Sequence, residues 1–154
     1  MIEIAPISPE EDSVQYLLQQ LNEYLEKIYP SESNYIDSVD ELKKQNVVFL
    51  GASIDAQVVG CGAVKFLQDD ISYGEIKRVY VCNAARGRGI AEALMRGLEA
   101  AAIDRKVKVL RLETGHQQPE ALGLYEKLGY ACRGPFASYI HDNNELSLFM
   151  EKQL

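Results

Sequence analysis

A short turn with two glycines constrains the fold of this chain more than any other segment. Gly87 and Gly89 stand one residue apart in the stretch Arg-Gly-Arg-Gly-Ile-Ala, which occupies residues 86–91. The preceding residues 75–82 alternate between polar and apolar side chains, the pattern of a half-buried strand. Residues 84–103 repeat apolar side chains at helical spacing. The pattern predicts a strand, a tight turn and a long helix, a unit typical of α/β proteins.

The same turn has the chemistry of an anion site. Amides in the first turn of a helix lack acceptors within the helix, and the helix dipole attracts negative charge. Gly87 and Gly89 have no Cβ, so the backbone can approach an anion closely, and Arg86 and Arg88 add positive charge. A tight connection with solvated arginines would use the same residues, so the turn alone leaves both interpretations open.

Two common nucleotide motifs do not fit this turn. A dinucleotide-binding turn needs glycine or alanine at its sixth position, where this chain has Glu92. A P-loop needs Gly-Lys followed by serine or threonine, and that order occurs nowhere in the 154 residues. Neither nucleotide motif therefore accounts for this turn.

The other elements predict one α/β domain over residues 1–154, because no repeat, low-complexity run or linker divides the chain. Alternation and apolar runs indicate strands, whereas helical spacing with capping residues indicates helices. Further strands are predicted at residues 1–7, 47–53, 57–66, 107–114, 130–133 and 145–151. Further helices are predicted at residues 9–29, 38–44 and 119–128.

Charge and hydropathy argue against several classes of partner. The chain has 16 basic and 23 acidic residues and a net charge of −7, which disfavours binding to nucleic acid or to an anionic membrane. The N-terminus lacks the basic and apolar segments of a signal peptide, and no apolar run is long enough to span a bilayer. A cytoplasmic protein is therefore expected.

The cysteines and histidines predict no metal site. Cys61, Cys82 and Cys132 are widely spaced without a Cys-x-x-Cys pair, and only His116 and His141 could join them as ligands. Reduced thiols in a cytosolic protein are expected. A cysteine nucleophile is not expected, because the sequence offers it no histidine partner.

Two motifs together resemble a known enzyme family. The stretch Arg86-x-x-Gly89-x-Ala91 is similar to the Q/R-x-x-G-x-G/A signature of the GNAT superfamily of N-acetyltransferases. Residues 121–130 (ALGLYEKLGY) resemble the family's A-x-x-L-Y-x-x-x-G-F/Y stretch. The two motifs occur in the family's order, and the order of predicted strands and helices also matches over nearly the whole chain.

The resemblance implies a fold and a cosubstrate. The fold would be α/β, with a mixed, mostly antiparallel sheet of about six to seven strands flanked by about four helices, in which the fourth and fifth strands splay apart. Acetyl-coenzyme A would lie in the gap, with its pantetheine along the fourth strand and its pyrophosphate on the glycine turn. The implied cosubstrate-binding residues are Val79, Val81, Arg86, Gly87, Arg88, Gly89, Ile90, Ala91, Gln118 and Tyr125.

The resemblance also implies two catalytic residues. Tyr125 occupies the position of the tyrosine that often protonates the leaving thiolate. Glu75 lies eleven residues before Arg86, the spacing at which histone-type members place a general-base glutamate. The attacking amine must lose a proton, so a carboxylate at this strand is chemically suitable. The alternatives are that Tyr125 is a core aromatic and that Glu75 is a solvated or merely shaping residue.

The sequence departs from the family at two positions. Gln118 stands where asparagine is common, and Asn83 stands where proline is usual. The acceptor site would be built from residues 29–35, the region near Tyr73 and residues 136–144, which contain His141. Its amine acceptor, a small molecule or a peptide, is not specified by these residues.

The expected activity is acetyl transfer from acetyl-coenzyme A to a primary amine, by direct attack in a ternary complex and without a metal. The alternative is an acyl-coenzyme A-binding regulatory module that has lost turnover. A homodimer is also possible by analogy with many small members of the family.

Overall fold

A computed structural model of the chain describes residues 1–29, 36–142 and 145–154. Seven strands form one sheet in the order β1-β2-β3-β4-β5-β7-β6. The strands are β1 (Ile2–Pro6), β2 (Val47–Ile54), β3 (Gln57–Gln68), β4 (Ser72–Val81), β5 (Val109–Gly115), β6 (Ala131–Arg133) and β7 (Ser147–Gln153). The described helices are α1 (Asp12–Ile28), α2 (Val39–Leu42), α3 (Ile90–Asp104) and α4 (Pro119–Lys127).

The parallel pairing between β4 and β5 is short and determines where the site can form. Three residue pairs join the strands: Gly74 with Leu110, Glu75 with Arg111, and Ile76 with Leu112. All other pairs of neighbouring strands are antiparallel. The strands diverge after Ile76, which confirms the predicted mixed sheet splayed between its fourth and fifth strands.

A bulge in β4 lies at the start of this divergence. From Cys61 to Ala63, β3 advances two positions while its partner β4 runs back three, from Tyr80 to Lys77. Arg78 takes up the extra residue with a φ of 58°, in the left-handed region. Its guanidinium donates to Oδ1 of Asn22 at 2.6 Å, so the bulge is tied to α1.

The sheet is covered on both faces because successive strand residues point to opposite sides. On one face, Leu50 and Val64 belong to the core that contains α3 and α4. On the other face, Phe49 and Ala63 pack with α1 and α2. Among the described residues, no helix is both long and apolar enough to span a bilayer.

Two helix starts differ from the prediction. The long helix α3 begins at Ile90 instead of residue 84, because Gly87 and Gly89 have φ values of 81° and 76° that a helix cannot continue through. A 3₁₀ turn at Asn83–Ala85 precedes them. Helix α1 begins at Asp12, after a turn in which the Ser8 hydroxyl accepts the Glu10 amide instead of capping the helix.

Candidate active site

The splay opens a cleft of about 570 Å³ between β4 and α4. Its walls are the end of β4, the glycine turn, the first turn of α3 and α4. Every implied cosubstrate-binding residue except Arg88 lines it: Val79, Val81, Arg86, Gly87, Gly89, Ile90, Ala91, Gln118 and Tyr125. The fold therefore brings together two motifs that are separated in the sequence.

The glycine turn fits an anion such as a diphosphate. Apart from the adjacent residues in the chain, no atom of the described residues lies within 4 Å of a Cβ built at Gly87 or Gly89, so the space beside the turn is open. The hydrogen bond from the Ala93 amide to the Gly89 carbonyl, at 3.1 Å, belongs to the first turn of α3. The amides just before Ala93 have no acceptor further back in the helix. Glycine is favoured at both positions because φ is positive there, and not because a side chain would be crowded.

The two arginines of the turn differ in their surroundings. The Arg86 Nε donates to the Val81 carbonyl at 3.1 Å, and its guanidinium lies 5.6 Å from the centre of the Tyr80 ring. The Arg86 charge is therefore held against β4 at the edge of the cleft. Arg88 is exposed on the turn and does not line the cleft.

A second, smaller pocket of about 100 Å³ lies on the other side of the splay. Glu75, Lys77 and Glu113 give it charged walls, and Tyr29 and Ser147 add hydroxyl groups. The pocket and the cleft share four lining residues, Leu21, Val79, Gln118 and Tyr125. The two spaces therefore meet at Tyr125.

Tyr125 is buried, with 9% of its surface exposed. Burial raises the pKa of its phenol to about 12, and the Glu113 charge contributes to the rise. The ring packs edge-on against Tyr130, with 6.0 Å between centroids. The hydroxyl therefore stays protonated at neutral pH and can act as a hydrogen-bond donor or an acid.

Glu75 is 5% exposed and already has two polar partners. The Tyr139 hydroxyl donates to its Oε2 at 2.7 Å, and the Lys77 ammonium lies 3.5 Å from the same oxygen. Lys77 in turn lies 3.4 Å from Oδ1 of Asp37. The carboxylate thus lines the small pocket with its charge compensated.

Glu113 is a site residue that the sequence analysis missed. It follows the last β4–β5 pair, and its Oε2 accepts a 2.8 Å hydrogen bond from the Ser147 hydroxyl. Burial raises its pKa to about 7, against the opposing effects of Ser147 and Lys77 and with a further increase from Glu75. The available signal was an acidic residue at the end of a predicted apolar strand that enters the implied gap.

Gln118 is positioned by Tyr29. The Tyr29 hydroxyl donates to Oε1 of Gln118 and accepts the Gln117 amide, both at 3.3 Å. A Cβ at Gly115 would overlap the Tyr29 ring, so the glycine permits this close contact. Both Tyr29 and Gln118 line the small pocket.

The other predicted acceptor residues have mixed placements. Residues 30–35, 143 and 144 lie outside the described part of the chain. Tyr139 is buried and reaches Glu75, whereas His116 and His141 are exposed and line neither space. The described residues contain no group of three or more acidic, cysteine or histidine side chains arranged to hold a metal ion.

The cysteines have no place in this site. Burial raises the pKa of the Cys61 thiol to about 12, and its Sγ lies 3.6 Å from the Arg78 carbonyl oxygen. Cys132 is exposed on β6. The raised pKa of Cys61 is the opposite of what an activated thiol nucleophile has.

Comparison with known proteins finds a matching family, similar sequences and similar solved structures, named as acetyltransferases or acyltransferases. The family described as "Acetyltransferase (GNAT) family" matches residues 14–130. The chain is 42% identical over 153 residues to the IAA acetyltransferase of Azospirillum brasilense, covering 99% of this chain and 98% of that protein. A crystal structure from Klebsiella pneumoniae, provisionally named an acyl-CoA N-acyltransferase, is 36% identical with a TM-score of 0.82, covering 100% of this chain and 98% of that one.

A more distant solved structure shares the fold. The PaiA N-acetyltransferase of Thermoplasma acidophilum, crystallised with coenzyme A, is 20% identical with a TM-score of 0.77 and coverage of 100% and 99%. The family match over residues 14–130 and the 42% identical relative confirm the resemblance found in the two sequence motifs. The chain belongs to the GNAT family of acetyltransferases, enzymes that take their acyl group from acyl-coenzyme A.

Proposed function

We propose that this protein transfers an acetyl group from acetyl-coenzyme A to a primary amine by direct attack in a ternary complex. The observation that supports this best is the meeting of two spaces at Tyr125. The larger cleft has the phosphate-binding turn at its far end and suits the donor. The smaller pocket has Lys77 and Arg78 in its wall as well as Glu75 and Glu113, and its carboxylates suit an acceptor that must give up a proton.

In this proposal the donor lies along β4 and α3. The pyrophosphate rests on the turn from Arg86 to Ala91, where open space and first-turn amides favour an anion. The pantetheine amides pair with the backbone at Val79 and Val81, which have no β5 partner. Gln118 supplies a side-chain amide between the donor and the acceptor.

The proposed chemistry needs a base, an acid and an oxyanion donor. The amine loses a proton to a carboxylate of the small pocket, Glu75 or Glu113, and its nitrogen attacks the thioester carbonyl carbon. The Val79 amide stabilises the oxyanion, as preorganised donors do in other enzymes. The carbon–sulfur bond then breaks, and Tyr125 donates its proton to the leaving thiolate.

A panel of primary amines, small and peptidic, tests this proposal by measuring thiol release from acetyl-coenzyme A. We expect at least one amine to give saturable turnover and an acetylated product of the expected mass. Isothermal titration with coenzyme A runs in parallel. Tight coenzyme binding without turnover of any amine would instead favour the alternative, a non-catalytic acyl-coenzyme A-binding module.

A further inference from the structure

We infer that Glu113, and not Glu75, is the catalytic residue that takes the proton from the attacking amine. The inference rests on the proposed function and assigns the two carboxylates of the small pocket different roles. It depends on where each carboxylate stands relative to the splay and on what each already contacts.

The first argument is position along the gap. Glu75 pairs with Arg111 in the joined part of β4 and β5, so residues 75, 111 and 113 point to one face of the sheet. Glu113 lies two residues beyond Arg111, past the last pair between the strands. It is therefore the carboxylate at the open part of the splay, where a thioester in the cleft would meet an amine.

The second argument is the set of partners. Oε2 of Glu75 accepts the Tyr139 hydroxyl and lies 3.5 Å from the Lys77 ammonium, so this carboxylate already has two partners. Glu113 accepts the neutral Ser147 hydroxyl, and within the described ranges it forms no ion pair. Of the two carboxylates, Glu113 is therefore the one that no cation holds at ion-pair distance among the described residues.

The third argument is the effect of burial and neighbouring charges on the pKa of Glu113. The charged and titratable groups that share its pocket are Glu75, Lys77 and Arg78 on β4, Tyr125 on α4 and Tyr29 after α1. Burial and the Glu75 charge outweigh Lys77 and the Ser147 hydrogen bond, so the pKa of Glu113 rises to about 7. A base is most effective when its pKa lies near the working pH.

The proton balance is complete with these groups. The substrate ammonium first loses one proton to solvent, and the carboxylate of Glu113 then accepts a second proton from the nitrogen as the carbon–nitrogen bond forms. Tyr125 gives its proton to sulfur as the carbon–sulfur bond breaks. Glu113 afterwards releases its proton to solvent and Tyr125 regains one, so each turnover yields amide, coenzyme A thiol and one proton from the substrate ammonium.

The test is the pH profile of kcat/KM for the wild type, Glu113→Gln, Glu113→Asp and Glu75→Gln, with two acceptors of different amine pKa. For the wild type, we expect kcat/KM to rise with pH through a limb near pH 7, and the position of this limb should be the same for both acceptors. Glu113→Gln should lose this limb and about 10²-fold or more in rate, and Glu113→Asp should restore part of both. Glu75→Gln should keep the limb but move it to lower pH, because the Glu75 charge contributes to the raised pKa of Glu113.

Two further measurements show whether Glu113→Gln removes a base or disturbs the structure. The outcomes also distinguish failure of this inference from failure of the proposed function. Coenzyme affinity by isothermal titration should be unchanged in Glu113→Gln, and ¹³C NMR of labelled glutamates should show one carboxyl titrating near pH 7 that this variant lacks. A limb that survives in Glu113→Gln, or that disappears in Glu75→Gln, would overturn the inference. Absence of turnover in the wild type would instead overturn the proposed function, and this assignment with it.

Discussion

The Tyr139 hydroxyl donates a 2.7 Å hydrogen bond to Oε2 of Glu75, and both side chains are buried. Tyr139 belongs to an aromatic cluster in which its ring lies 5.2 Å from Phe136. Arg111, 2% exposed, lies over Tyr73 of the same cluster at 4.7 Å. Glu75 is thus connected through Tyr139 to a rigid aromatic surface, which suits a carboxylate that shapes the pocket.

The first prediction measures this connection with a double-mutant cycle. Tyr139→Phe removes a hydrogen bond to a charged group, so it should destabilise the fold by about 1.5–3 kcal/mol. In a Glu75→Gln background the same change should cost less, with a coupling energy of about 0.5–3 kcal/mol. Urea unfolding at pH 7 provides the four free energies. The matched control is Tyr16→Phe, which removes an exposed hydroxyl and should have almost no effect. Strict additivity would contradict the connection.

The second prediction concerns the glycine turn. Gly89→Asp places a side chain at a φ of 76° and a negative charge beside the proposed pyrophosphate site. Charge-assisted hydrogen bonds contribute about 1.5–3 kcal/mol each, so coenzyme affinity should fall by at least about 10-fold. Isothermal titration on folded protein measures this.

The control for the turn is Gly134→Asp. Gly134 is exposed, has open space around it and lines neither the cleft nor the pocket. It adds the same charge to the chain without occupying the turn, so affinity should change little. Equal affinities of both variants for coenzyme A would exclude the turn as the pyrophosphate site.

The third prediction concerns Tyr125. Tyr125→Phe should lower kcat by about 10–10³-fold with coenzyme affinity nearly unchanged, because a transition-state contact is lost. Since its pKa is raised to about 12, the wild-type rate should show no basic limb from Tyr125 below pH 11. Rates are measured under conditions where chemistry limits turnover. Full activity of the phenylalanine variant would mean that Tyr125 only packs beside the donor.

The parts of the site that the sequence predicted are those determined by local chemistry. Gly87 and Gly89 mark a turn with positive φ, and Pro119 begins α4 where a missing amide is tolerated. These features depend on residues that are adjacent in the chain, so they can be recognised from the sequence. The same local reasoning placed Tyr125 on a helix, and the resemblance to the family implied that this helix lies beside the gap.

The parts that it missed depend on contacts between distant segments. The role of Glu113 arises from burial between β4, α4 and β7, and its hydrogen-bond donor Ser147 lies 34 residues away. The bulge at Arg78 depends on Asn22 of α1, 56 residues earlier. Periodicity in one segment contains no information about such partners, so an acidic residue in a strand could not be identified as a raised-pKa group.

The fourth prediction derives the pH dependence of the free energy of unfolding from the raised pKa of Glu113. Between its ordinary pKa of 4.5 and about 7, the folded chain holds a proton on Glu113 that the unfolded chain has already lost. Stability falls with rising pH wherever the folded state binds more protons, so the wild type should lose stability across this window. The full difference amounts to about 3 kcal/mol, because each pKa unit corresponds to about 1.4 kcal/mol.

Glu113→Gln removes the ionisation but keeps an oxygen that can accept the Ser147 hydroxyl. The variant should therefore be more stable than the wild type at pH 8, by up to about 3 kcal/mol, and the gain should vanish below about pH 4.5. Urea unfolding at both pH values measures it, with exposed Glu3→Gln as the control for the loss of one negative charge. A gain that is the same at both pH values would point to packing or net charge instead. A loss of stability at pH 8 would mean that the folded state favours ionised Glu113, which is incompatible with a base held near neutrality by burial.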